Sequence, residues 1–154
     1  MIQKVKIVKA DDFYSEKIAN IEKNCFSDPW DINVIKESLQ NENSDFFVAL
    51  VMNTPVGYIG TYSVLDEVYL YNIAVEENYR NLKIGKALLQ TVIDASIKKN
   101  ACFISLEVRC SNIPAIKLYE KSDFKKAGLR KNFYKNPVED AIIMTKYLKE
   151  EGAV

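Results

Sequence analysis

The sequence predicts a mixed α/β domain built on a mostly antiparallel sheet with helices packed against it. Three observations predict this. Apolar runs of strand length alternate with segments of helical period along 154 residues. Residues 67–108 read strand–helix–strand, which requires one parallel pairing inside the sheet. Apolar residues at 48% and charged residues at 27% suit a soluble chain that buries a real core. The expected order is β-α-α-β-β-β-α-β-α-β-β in one domain over residues 1–148, with a polar tail at 149–154.

Val5, Ile7 and Val8 make the first strand. Asp11 and Asp12 can cap a helix from about Phe13 to Cys25, with Ile18, Ile21 and Cys25 along one side. Phe26-Ser27-Asp28-Pro29-Trp30-Asp31 is a turn, because Pro29 and the residue before it disfavour helix. Asp31 caps a second helix from Ile32 to about Gln40, and 41–45 is a polar loop. Phe46–Met52 and Val56–Ser63 are strands joined by a hairpin connection at Asn53-Thr54-Pro55. Val68, Leu70, Ile73 and Val75, with Tyr69 and Tyr71, form the next strand, which Glu76-Glu77-Asn78 ends.

From Ile84 the period becomes helical. Ile84, Leu88, Leu89, Val92 and Ile93 share one side, and Lys86, Gln90, Asp94 and Lys98 the other. Lys98-Lys99-Asn100 ends that helix with charge suited to its negative dipole end. Ala101–Val108 is a strand. Ser111-Asn112 opens a further helix with Pro114 in its first turn, where the missing N–H does no harm, and Asp123-Phe124 ends it. Phe124 to about Lys131 and Glu139 to Lys146 form a final antiparallel pair around the loop Asn132–Val138.

Composition removes several function classes. There is no histidine, so Ser-His-Asp and Cys-His catalysis and His-ligated metals are excluded together. Acid–base chemistry must fall to Glu, Asp, Tyr, Lys or Cys. The three cysteines, Cys25, Cys102 and Cys110, are far apart and form no C-x-x-C, so they read as reduced, small apolar residues. Twenty-one basic residues balance 21 acidic ones, which argues against a protein that coats nucleic acid. No apolar run reaches the length of a membrane span, and the N-terminal stretch lacks the apolar core of a secretory signal. A cytoplasmic location is the expectation. No G-x-G-x-x-G follows a strand and no Walker A pattern occurs.

Two stretches carry candidate chemistry. Tyr79-Arg80-Asn81-Leu82-Lys83-Ile84-Gly85 feeds a helix N-terminus, which presents unpaired N–H groups and the positive end of the dipole. Phosphate binds well there, and Arg80 and Lys83 add positive charge. In the second stretch, alternation puts Ile104, Leu106 and Val108 on one strand face and Phe103, Ser105, Glu107 and Arg109 on the other. A carboxylate in a strand covered by helices needs a partner or a cavity. Glu107 therefore either pairs, with Arg109 for example, or lines a cleft. Spacing alone reads Tyr119 as a core aromatic and Asn112 as a helix cap.

The loop Arg80–Gly85 resembles the cofactor loop of the GCN5-related N-acetyltransferases (GNAT), whose pattern is Arg/Gln-x-x-Gly-x-Gly/Ala. Arg80 and Gly85 match its ends, Lys83 stands where its first glycine belongs, and Asn81 replaces another frequent glycine. Cys25-Phe26-Ser27-Asp28-Pro29-Trp30, Asn72-Ile73-Ala74-Val75, Leu106-Glu107-Val108-Arg109, Ser111-Asn112, Leu118-Tyr119-Glu120 and Glu139-Asp140-Ala141-Ile142-Ile143-Met144 follow in order. Together they resemble the RimI-type branch, the ribosomal-protein-alanine N-acetyltransferases, over most of the chain.

That resemblance implies a seven-stranded, mostly antiparallel sheet whose central parallel strands splay to admit acetyl-CoA. It implies cofactor contacts from Ile73, Ala74, Val75, Arg80, Asn81, Leu82, Lys83, Ile84, Gly85 and Asn112, and no metal. Glu107 becomes the general base and Tyr119 the general acid. The implied acceptor is the N-terminal alanine of a small-subunit ribosomal protein, flanked by the turn Phe26–Trp30 and the loop Asn132–Val138. Trp30 and Tyr134 would wall the peptide, or merely staple the second helix and close a strand end. Asp28, Asp31 and Glu139 would favour a basic peptide. Two other readings stay open: acetylation of lysines, polyamines or small amines, and a non-catalytic acyl-CoA- or partner-binding module. Lys83 costs roughly 1 kcal/mol if its position needs positive φ. Asp123 likewise replaces a glycine usual before Phe124.

Overall fold

The computed structural model describes residues 4–149. Of the polar tail, 150–154 lie outside the described residues. The strands are β1 (Val5–Lys9), β2 (Ser44–Val51), β3 (Thr54–Val64), β4 (Glu67–Val75), β5 (Phe103–Arg109), β6 (Lys125–Tyr134) and β7 (Glu139–Tyr147). The helices are α1 (Ser15–Cys25), α2 (Ile32–Gln40), α3 (Ile84–Lys98) and α4 (Ile113–Lys121). The expected element order holds throughout. One seven-stranded sheet runs β1-β2-β3-β4-β5-β7-β6, and β4–β5 is its parallel pair.

Element ends differ from expectation for local reasons. The segment after Asp11 starts as a 3-10 turn, Asp12–Tyr14, capped by the Asp11 side chain on the Phe13 N–H, and becomes α-helical only at Ser15. The β2–β3 turn is Met52-Asn53 rather than Asn53–Pro55. Both residues have positive φ, 50° and 64°, as a two-residue hairpin turn that follows the strand twist requires. Strand β6 continues to Tyr134, so the loop before β7 is shorter than Asn132–Val138.

Strand alternation divides the core. Ala49, Ile59, Ile104, Leu106, Val108 and Met144 meet α3 and α4 on one face. Phe46, Val48, Leu50, Tyr58 and Ala74 meet α1 and α2 on the other. Burial of these apolar side chains, at roughly 25 cal/mol per Å², is the main driving force of the fold.

The sheet opens at its centre. Pairing of β4 with β5 stops after Tyr69–Ser105. On the other side of β4, Gly60 pairs with Asn72 and Thr61 with Leu70, so Tyr71 is an extra residue. Such a bulge bends its strand, and here it accompanies the departure of β4 from β5. Gly60 is demanded at this point, because a Cβ would lie 2.4 Å from the Phe46 ring.

Candidate active site

The opening between β4 and β5 is a cleft of about 880 Å³. Glu76 N–H bonds to the Val56 carbonyl at 2.8 Å. By alternation Asn72 and Ala74 also direct their backbone groups to β3, while Ile73 and Val75 direct theirs to the side that β5 has left. Ile73 lines the cleft. The buried face of Ala74 points to α1 instead. The Val75 carbonyl accepts from Arg80 Nε at 2.9 Å and from the Cys25 thiol at 3.5 Å.

The loop entering α3 keeps a glycine-type backbone without glycine. Asn81 has φ 66° and Lys83 φ 63°, both left-handed. Lys83 is the N-cap of α3 and makes no side-chain cap bond. In contrast, Asp31 and Asn112 cap α2 and α4. Ala87 is the first N–H of α3 to find a backbone acceptor, the Lys83 carbonyl at 3.1 Å. The N–H groups before it are left to solvent or ligand, at the positive end of a 15-residue helix. A Cβ on Gly85 would make only an ordinary 3.5 Å contact with Leu118. Packing thus does not demand this glycine, and its bare backbone leaves the helix start open to close approach by a phosphate group. The residues present therefore fit acetyl-CoA.

Glu107 and Tyr119 reach the cleft from opposite faces of the sheet. Glu107 alternates away from the α3–α4 core and stays part-exposed, with Arg130 Nε 3.6 Å from its carboxylate. Arg109 is not its partner, since that guanidinium goes to Glu139. Tyr119 comes from α4 within the core cluster, is 3% exposed, and still lines the cleft. Burial holds its hydroxyl well above the usual phenol range. Asn112 Oδ1 caps the Ala115 N–H at 3.3 Å, and the residue also lines the cleft.

The end of α4 explains how Tyr119 is fixed. Asp123 sits at φ 68°. Phe124 N–H bonds back to the Tyr119 carbonyl and Asp123 N–H to the Glu120 carbonyl, each at 3.0 Å. This is the Schellman cap, and the Phe124 ring packs on Tyr119 with centroids 5.8 Å apart.

Residues 15–124 match the model of the Acetyltransferase (GNAT) family. The chain belongs to that family. A ribosomal protein bS18-alanine N-acetyltransferase of Escherichia coli (strain K12) is 37% identical over 127 residues, covering 81% of this chain and 85% of the relative. The crystal structure of the ribosomal-protein-S18-alanine N-acetyltransferase from Escherichia coli superposes with TM-score 0.90 at 32% identity, over 97% of each chain. Arabidopsis thaliana NAA60 in complex with acetyl-CoA shares the fold at 18% identity, TM-score 0.87, over 94% of this chain and 99% of that one.

In this acetyltransferase, two chain segments wall the outer cleft. Phe26, Ser27, Asp28 and Trp30 line one side. Trp30 packs edge-on against Tyr71, centroids 5.2 Å apart, besides joining the α1–α2 core. Phe133, Tyr134 and Lys135 line the other side. Burial and then Glu107 push the Tyr134 phenol up to about 12. The walls touch where Ser27 Oγ donates to the Asn136 carbonyl at 2.8 Å.

Of the three acids expected near the acceptor, Asp28 lines the cleft. Asp31 is the α2 cap, accepting from Asn33 N–H at 2.8 Å. Glu139 accepts from Ser111 N–H at 2.6 Å and pairs with Arg109 at 3.2 Å. Those bonds to Ser111 hold its carboxyl below the usual range. Arg109 binds the loop as well, donating to the Lys135 carbonyl at 2.8 Å and the Pro137 carbonyl at 3.0 Å.

Sequence reasoning passed over Glu22 and Arg130. Arg130 lies in a strand exposed along almost its whole length, 23 positions from its partner, with no local pattern joining them. Glu22 looked like one more polar residue of α1 and is instead 0% exposed. The described residues contain no cluster able to hold a metal, and no described helix is long and apolar enough to cross a membrane.

Proposed function

We propose that this protein transfers the acetyl group of acetyl-CoA to the N-terminal α-amine of a ribosomal protein that begins with alanine. The observation that carries the reading is the placement of Glu107 and Tyr119 on the walls of one cleft, reached from opposite faces of a parted sheet. The similarity to bS18-alanine N-acetyltransferases supports the acceptor.

The uncapped N–H groups of Leu82, Lys83, Ile84 and Gly85, in the loop Arg80–Gly85, hold the pyrophosphate, and Asn112 contacts the pantetheine side through the cleft. Acetyl-CoA, when bound, supplies a thioester carbonyl and a thiol leaving group. The backbone N–H of Ile73 or Val75, facing the opening, donates to the carbonyl oxygen as oxyanion donors do. The Glu107 carboxylate takes a proton from the acceptor ammonium, which frees the nitrogen lone pair for attack. Tyr119 Oη gives its proton to the departing sulfur. Burial keeps that phenol protonated through neutral pH, so the acid is loaded before each turnover. Trp30 and Tyr134 flank the peptide, and Asp28 faces its basic residues.

The α-amine matches this machinery. An α-amine has a pKa near 8 and a lysine amine near 10.4, so at pH 7.5 roughly a quarter of the former and about 0.1% of the latter is neutral. One carboxylate then has far less work to do. The test is mass spectrometry of an alanine-initiated basic peptide, beside the same peptide with its N-terminus blocked and its lysines free. Acetylation of the free N-terminus is expected. Equal or faster modification of the blocked peptide would move the reading to lysine side chains. Failure of calorimetry to detect acetyl-CoA binding at millimolar concentration would end the acetyltransferase reading of the cleft.

A further inference from the structure

The most unusual ionisable group lies outside the acid–base pair. Glu22, in α1, is 0% exposed among Ile18, Ile21, Ile35, Phe46 and Tyr58. A buried carboxylate normally pairs with a cation. No described cation meets Glu22. Its partners are neutral donors: the Tyr58 hydroxyl, the Asn72 amide at 2.8 Å and the Trp30 backbone N–H at 3.1 Å. Tyr58 answers in kind. Burial and then the neighbouring Glu22 raise its phenol well above 10.0, so it stays a donor.

Those partners come from the core and from two parts of the cleft wall. Tyr58 is on β3, in the core. Asn72 is on β4, lines the cleft and precedes the 73–75 segment. Trp30 closes the turn that walls the outer cleft. That turn makes few other hydrogen bonds: Phe26 N–H continues α1 to the Glu22 carbonyl, and Ser27 reaches the opposite loop. Glu22 thus joins the turn to the β4 strand beside the opening through hydrogen bonds, next to the packing of Trp30 on Tyr71.

We infer that Glu22 is a positioning residue for the acceptor: its carboxylate sets the distance between the Trp30 wall and the Asn72–Val75 segment. This rests on the proposed acetyl transfer to an N-terminal α-amine. A carboxylate suits the task because it accepts from three donors at once. Glutamine retains one oxygen and turns an NH₂ toward a group that also donates. Its loss therefore releases one side of the wall while the cofactor loop at 80–85 is untouched.

The chain carries a single tryptophan, Trp30, so the wall has its own optical reporter. The experiment compares wild type with Glu22→Gln in three measurements: steady-state kinetics on the alanine-initiated peptide, calorimetry with acetyl-CoA, and Trp30 emission with acrylamide quenching. Glu22→Gln should raise the peptide KM about tenfold, change kcat less than about threefold and leave the acetyl-CoA Kd within about twofold. Trp30 emission should move to the red and quench more readily. A variant that melts earlier but keeps wild-type KM and emission has lost only stability, and overturns the inference. So does a fall in kcat at unchanged KM, which would make Glu22 part of the chemistry. If Glu22→Gln does not fold, Tyr58→Phe deletes one donor with little change of shape. It should shift KM and emission in the same direction by a smaller factor, and unchanged values overturn the inference. Absence of wild-type turnover on the peptide would instead sink the acceptor assignment, while the Trp30 readout still decides the role of Glu22.

Discussion

Arg130 Nε stands 3.6 Å from the Glu107 carboxylate, across the sheet from β6 to β5. The guanidinium is more than half exposed, so the pair adds little to stability. Its interest lies in separating two roles for Glu107. If Glu107 existed only to pair with Arg130, Glu107→Gln and Arg130→Gln would slow turnover alike, by a small factor. If Glu107 is the base, Glu107→Gln should lower kcat by about 10²–10⁴-fold while Arg130→Gln costs less than about tenfold. Acetyl-CoA affinity should hold in both. The loss in Glu107→Gln should also shrink as pH rises and the acceptor amine deprotonates itself. Rate measurements from pH 7 to 9 on both variants check this.

Left-handed backbone at Lys83 and Asp123 carries a steric cost that glycine would not, roughly 1–2 kcal/mol for an ordinary side chain and less for aspartate. Lys83→Gly should therefore raise stability by about 1 kcal/mol and Asp123→Gly by somewhat less, or a Tm rise of about 2–4 °C per kcal/mol. Acetyl-CoA should still bind Lys83→Gly, because the proposed hold on the pyrophosphate is through backbone N–H groups. If the Lys83 ammonium adds to them, binding becomes less salt-sensitive in the variant. Calorimetry at two salt concentrations decides it, and loss of binding would show that the side chain is the anchor.

Alkaline pH should destabilise the fold through its tyrosines. Burial raises Tyr119 above its ordinary 10.0, and burial with Glu22 raises Tyr58. Tyr134 is pushed up to about 12 by burial and by Glu107. In the unfolded chain such phenols ionise near pH 10. Above that pH the unfolded state has released protons that the folded state still holds, so stability falls as pH rises. It is fully present below pH 10. Tm should stay level to about pH 9.5 and then drop, with the share of tyrosinate absorbance that belongs to Tyr58, Tyr119 and Tyr134 appearing only with unfolding. Full tyrosine ionisation in a still-folded protein would contradict the burial of these hydroxyls.

The element order and the faces of β5 were legible because strand and helix periods are strong in those segments, and Ile104, Leu106 and Val108 do turn inward. The loop before α3 was legible as a helix start with basic residues. That Lys83, Asn81 and Asp123 keep positive φ was not, since sequence shows a missing glycine but not whether the backbone bends anyway. Long-range partners were the least readable. Arg109 sits two positions from Glu107 and looks like its partner, yet its fork serves Glu139 and two loop carbonyls. Glu22 is hidden for the same reason: a polar residue in a helix gives no sign that Tyr58, Asn72 and Trp30 converge on it.

Arg109 leads to the last prediction. Its guanidinium donates to the carbonyls of Lys135 and Pro137, pairs with Glu139, and lies 4.4 Å from the centre of the Tyr134 ring. One planar group thus holds both the loop and the aromatic wall on the Tyr134 side of the cleft, the side proposed to meet the acceptor. Lysine keeps the charge but has neither the fork nor the flat face. Arg109→Lys should therefore release the loop, raising the KM for the acceptor peptide about tenfold, close to 1.4 kcal/mol, the scale of one lost charge-assisted hydrogen bond. Acetyl-CoA binding should be unchanged, because the cofactor loop at 80–85 lies on another element. Kinetics and calorimetry on Arg109→Lys, with Arg109→Ala beside it, separate the causes. If lysine restores wild-type KM while alanine does not, charge alone fixes the loop. If both leave KM unchanged, the Tyr134 side of the cleft does not touch the acceptor.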